Sequence, residues 1–191
     1  MHISSTLVYS LPLFVLTLGL TLPPDLLSLH PRTQQQCGNA PATIAGSMLS
    51  PRNPSTTFAP ALNLRMLPGG SAVVWCQPGS RTFVVVDMSY VAGSLAAGSH
   101  FRDLLTACLN IISYEIETTH DGPIDGGIFE RISLTSSLAL HVWNANNHQI
   151  TYGVLRAAVS ALLDYIQQRG WGYCTFSIFD GPTQVGSGQL R

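Results

Sequence analysis

Three side chains in the C-terminal third have the types needed for nucleophilic hydrolysis: Ser177 as nucleophile, His141 as base and Asp180 as the orienting acid. Their context does not build such a site. No Gly-x-Ser-x-Gly elbow surrounds Ser177, and Asp180-Gly181 is a turn dipeptide. Asp121 and Asp125 are a second acid pair, the residue types of glycoside hydrolysis, but Gly122, Pro123, Gly126 and Gly127 around them spell a turn. Gly186-Ser187-Gly188 resembles half a phosphate loop without its Lys or its following helix; glycine in a terminal strand more simply marks a bulge or a close backbone approach. His100, His120, His141 and His148 fall in different segments, and none has His-x-x-x-His spacing, so no metal centre is expected. On these grounds no catalytic residue, metal or cofactor is assigned.

The cysteines carry the remaining covalent chemistry. Cys37, Cys76, Cys108 and Cys174 are even in number and lack CxxC spacing, which points to two disulfides in an exported chain rather than to zinc or a thioredoxin-type site. Three pairings are open, and the alternative is that some of the four are plain buried thiols, Cys being among the most buried residue types. Export is read from the N-terminus: positions 7–22 are uncharged and rich in Leu and Val, and Pro23-Pro24 ends the run. At well under the roughly 20 apolar residues of a spanning helix, it reads as a secretory signal peptide over 1–22, with about 33 as its outer bound. No Lys or Arg precedes the run, and a further apolar patch, Leu26-Leu27-Ser28-Leu29, follows, so a signal-anchored membrane protein is the alternative.

Composition narrows the partners. Apolar residues make up 46% of the 191 positions, enough for a globular core, while charged residues make up only 10%, against about 25% in typical soluble domains. All basic residues are Arg, and the net charge is −1, so there is no electrostatic case for nucleic acid or an acidic membrane as partner. Once a signal is removed, an extracellular protein or a small ligand is the partner class left.

The elements that must position these groups begin after a lead-in. Positions 23–70 are punctuated by Pro41, Pro51, Pro54, Pro60, Pro68 and Gly69-Gly70, and a single α/β domain is expected over 71–191. Strands are expected at 72–75 and 82–88, the latter β-branched. Gly93 and Gly98 bracket a loop, after which Ser99 caps a helix over about 100–118, with Phe101, Leu104, Leu105, Cys108, Ile111, Ile112 and Ile116 on one face. Strands 129–134 and 138–143 form a hairpin. Thr151 caps a second helix over 152–169, closed by Gly170, with Tyr152, Leu155, Val159, Leu162, Leu163 and Ile166 inward and Arg156, Ser160, Asp164 and Gln168 outward. Strands 171–179 and 183–190 finish the chain around Asp180-Gly181.

From Thr82 the order is strand, helix, strand, strand, helix, strand, strand. This is an α+β two-layer sandwich: an antiparallel sheet with two helices on one face, ferredoxin-like βαββαβ plus an extra C-terminal strand. Cys108 and Cys174 then both face the core and are expected to pair, leaving Cys37 with Cys76 to tie the lead-in down. Alternation puts His141, Trp143, Tyr173, Thr175, Ser177 and Phe179 on the face away from the helices, where aromatics can stack a ligand or meet a protein. His141, Trp143, Tyr173 and Phe179 are the candidate binding residues. The lead-in has apolar residues of its own, Leu62, Leu64 and Met66, and these weigh toward its folding back over that face.

In Leu-His-Val-Trp-Asn-Ala-Asn-Asn-His-Gln from Leu140, Tyr-Gly-Val-Leu-Arg-Ala-Ala from Tyr152, Phe-Ser-Ile-Phe-Asp-Gly from Phe176 and Val-Gly-Ser-Gly from Val185, the chain is similar to small secreted proteins of filamentous fungi with no assigned function. The resemblance covers about the last third. It implies export and carries over no catalytic residue. The expected function is that of a secreted, non-enzymatic binding or interaction protein; the rival is a secreted hydrolase with a site near His141 and Asp180.

Overall fold

The computed structural model describes residues 35–49, 72–91 and 95–191. The expected signal peptide, the apolar patch at 26–29 and the lead-in residues Leu62, Leu64 and Met66 lie outside the described residues.

A short hairpin comes first, β1 (Gln36–Cys37) with β2 (Ala40–Ile44). Then follow β3 (Val73–Cys76), β4 (Thr82–Val91), α1 (Leu95–Thr119), β5 (Ile128–Ile132), β6 (Ala139–Asn144), α2 (Tyr152–Arg169), β7 (Gly172–Asp180) and β8 (Thr183–Leu190). The six later strands form one sheet in the order β3-β4-β7-β8-β6-β5, and every neighbouring pair is antiparallel.

One core holds the sheet and both helices. Val84 and Val86 of β4, Leu140 and Val142 of β6, and Cys174, Phe176 and Ile178 of β7 meet Leu105, Cys108 and Ile112 of α1 and Leu155, Val159, Leu162 and Ile166 of α2. The helices therefore share one face, as strand alternation and the helical spacing of three and four require. A smaller cluster sits on the opposite face, where Cys37, Ala40 and Leu49 pack on Cys76 and Phe83, with Val85 and Phe179 alongside.

The strand order departs from the ferredoxin-like expectation. In that arrangement β4 would lie between β6 and β7; here β8 holds that place and β4 pairs on the outer side of β7. The tight turn at Asp180-Gly181, with Gly181 at φ 57°, lets β8 fold straight back on β7 and take all of its inner edge, from Asp180 opposite Thr183 to Cys174 opposite Leu190. The α+β class stands, with a strand order that is not the ferredoxin-like one.

The start of α1 also differs. The helix begins at Leu95, so Gly98 and Ser99 lie inside it rather than in a loop and at a cap. Gly98 is buried against Trp171, where a Cβ would come within 2.6 Å of the indole. The missing side chain serves helix packing, and Arg102 one turn on lays its guanidinium 5.4 Å from the centre of the same ring.

Candidate functional site

Of the expected disulfides one is formed. Cys37 and Cys76 are bonded, their Cα atoms 5.5 Å apart. Cys108 and Cys174 are both buried and both free thiols, which corrects the second pairing. Both do face the core, Cys108 from α1 and Cys174 from β7; sharing a core does not by itself bring two Cα atoms within the roughly 4.4–6.8 Å, with facing Cβ atoms, that a disulfide spans. Burial pushes each thiol up from 9.0 to about 12; Arg131 opposes this at Cys108, and Asp87 adds to it at Cys174. Neither is a nucleophile at neutral pH.

The register shows what shares the outer face. One row crosses the sheet as Val74, Val85, Ser177, Ser187, Trp143 and Ile128; the next crosses as Asp87, Thr175, Gln189, His141 and Glu130. His141 and Trp143 are half-buried neighbours, their rings 5.1 Å apart and tilted by 47°. Beside Trp143 lies a shallow groove of about 300 Å³. Val85, Asp87, Thr175, Ser177 and Ser187 line it along the two rows, with Ala72 also in the lining.

The four candidate binding residues fall in three places. His141 and Trp143 stay together on the part of the face that residues 37–49 do not cover. Phe179 stacks on Phe83, centroids 4.7 Å apart and planes 6° from parallel, within the cluster under the β1–β2 hairpin. Tyr173 lies 5.8 Å from Phe101, a core residue of α1, so its ring is engaged at the helix side of the sheet end. The lead-in thus covers the Phe179 end of the face through residues 37–49, and the groove beside Trp143 is lined without them. Sequence reasoning missed Val85, Asp87 and Ser187 as groove residues. Alternation gave the face of each strand, but which outward residues stand side by side depends on strand order.

The hydrolytic set is not assembled. His141 is level with Thr175 on β7, whereas Asp180 lies five residues farther along that strand, about 16 Å away at strand rise. Asp180 has Arg81 at 4.0 Å instead. Asp121 accepts from the Gly153 N–H at 2.7 Å and so caps the start of α2, while Asp125 sits in a short 3-10 turn over Asp125–Gly127. Among the described residues no group of three or more His, Cys, Asp or Glu is placed to hold a metal ion. No helix among them is long and apolar enough to cross a membrane.

The fold and site define an α+β protein with one disulfide, two buried thiols and a partly aromatic sheet face opposite the helices. No family model, curated protein or solved structure matches the chain.

Proposed function

We propose that this is an exported, non-enzymatic binding protein that receives a small, uncharged, hydroxyl-rich ligand in the groove beside Trp143. The observation that carries the reading is the lining itself. An indole forms an apolar wall; Thr175, Ser177 and Ser187 supply hydroxyls that both donate and accept, and Asp87 supplies a carboxylate acceptor. Among the described residues no Arg or His lines the groove, so none of them selects an anion there. A flat, hydroxylated ring, such as a pyranose, offers an apolar face to the indole and hydroxyls to the floor. The buried Cys37–Cys76 bond is compatible with an oxidising compartment. The apolar N-terminal run and the resemblance to small secreted fungal proteins support export.

The test is titration of the disulfide-intact protein with neutral mono- and oligosaccharides, read by calorimetry and tryptophan fluorescence. Trp143→Ala is the comparison, with circular dichroism to show that it folds. Saturable binding abolished or weakened at least tenfold in that variant supports the reading. Binding that survives Trp143→Ala unchanged, or no binding by any member of the panel, sinks it.

A further inference from the structure

The two edges of the large sheet are finished differently. At the β3 edge the outward backbone groups are taken: Gly38 N–H donates to Val74 O at 2.7 Å, Asn39 Nδ2 donates to Cys76 O at 2.8 Å, and Cys76 N–H donates to Asn39 Oδ1 at 3.1 Å. The Cys37–Cys76 bond locks that cover in place. At the β5 edge no described residue does the same.

The ladder fixes which groups β5 exposes. Ser133 N–H donates to Leu138 O at 2.8 Å. The same phase turns the polar groups of Phe129 and Arg131 toward their partners Val142 and Leu140. Those of Ile128, Glu130 and Ile132 therefore point off the sheet. Their side chains lie on the Trp143 face, where Ile128 is 55% and Ile132 59% exposed. No Lys, Pro or bulge blunts this strand, the usual devices at a solvent edge.

We infer that β5 is a homodimer interface, pairing antiparallel with β5 of a second copy about a two-fold axis through Glu130. The strand is self-complementary in this register. Ile128 faces Ile132 of the partner subunit, and each outward residue exchanges both backbone bonds. On the helix side Phe129 faces Arg131 of the partner subunit, a cation beside an aromatic ring. An axis through Arg131 would instead set Glu130 against isoleucine and carry Ile128 past the end of the strand. The adverse contact in the chosen register is Glu130 against its own copy, and it gives the pairing a signature. Joining the sheets this way also sets both Trp143 grooves on one continuous face, whatever ligand they take.

Sedimentation equilibrium of the full, disulfide-intact chain tests this. The wild type should form a reversible dimer, and Glu130→Gln should tighten it about two- to fivefold by removing the like-charge pair. Ile132→Lys should be monomeric with an unchanged circular dichroism spectrum. Glu130→Cys should give a covalent dimer on a non-reducing gel, because Cα atoms in a hydrogen-bonded pair sit about 5.5 Å apart. A wild type that stays monomeric to about 100 μM, a dimer untouched by Ile132→Lys, or no cross-link through Glu130→Cys would overturn the inference.

Discussion

The indole N–H of Trp75 donates to a carboxylate oxygen of Asp164 at 2.8 Å, joining residues 89 positions apart. Trp75 is 1% exposed, so its one donor must find a partner inside the fold. The neighbours on α2 add to the clasp: the Tyr165 ring meets the indole edge-on at 5.3 Å, and the Arg169 guanidinium lies 5.7 Å from the indole centre. By helix periodicity Asp164 reads as a solvent-facing residue. In the structure it anchors β3, at one end of the sheet, to the helix layer.

Asp164→Ala leaves the Trp75 N–H buried without its acceptor. The expected cost is about 1–3 kcal/mol. Asp164→Asn keeps an acceptor oxygen and should cost less. Urea unfolding of both variants, followed by circular dichroism, checks the order; equal stability of Asp164→Ala and wild type would show that the clasp is energetically idle.

The disulfide should stabilise the cover over the β3 edge more than the main core. It closes a loop of 39 residues, for which the chain-entropy argument gives a ceiling of about 4 kcal/mol. The cluster it belongs to is separate from the one between helices and sheet. Replacing Cys37 and Cys76 together with Ala should therefore lower the melting temperature while helix content is retained. Amide hydrogen exchange should rise first at Cys76 and in the β1–β2 hairpin. Full unfolding of that variant at room temperature would contradict the separation of the two clusters.

The buried thiols predict an alkaline limit. Cys108 and Cys174 lose their protons only near pH 12 in the folded chain but near 9.0 when exposed. Between those values the unfolded chain binds fewer protons than the folded one, so stability falls as pH rises. Below pH 9.0 both forms are protonated and the contribution is level. Unfolding free energies from pH 7 to 11 should show a decline beginning near 9 that is smaller when both thiols are replaced by Ala. In the native protein at pH 8 neither thiol should react with a thiol reagent over minutes, and both should react in denaturant.

Several elements were legible because their signals are local. Thr151 Oγ1 accepts from Val154 N–H at 3.3 Å, Gly170 ends the helix at φ 120°, and α2 occupies the span expected from those two residues. The β5–β6 and β7–β8 hairpins likewise follow from alternation around turn residues. The glycines of Gly186-Ser187-Gly188 read as a bulge or a close approach rather than an anion loop, and a Cβ at Gly188 would run into the Phe176 ring. Gly98 misled for the opposite reason: a glycine that permits packing against Trp171 looks, in one dimension, like a helix breaker.

What the chain alone determined is what neighbours along it decide: strand or helix, which side of each faces inward, where a turn can form, and the α+β class that results. The expected Cys37–Cys76 bond is formed; strand order, the unbonded state of Cys108 and Cys174, and the gathering of Trp143, Asp87 and Ser187 around one groove came only with the tertiary structure. An alternating strand presents the same pattern whichever strand it pairs with. The choice is made by packing between residues up to a hundred positions apart, and no local signal encodes it.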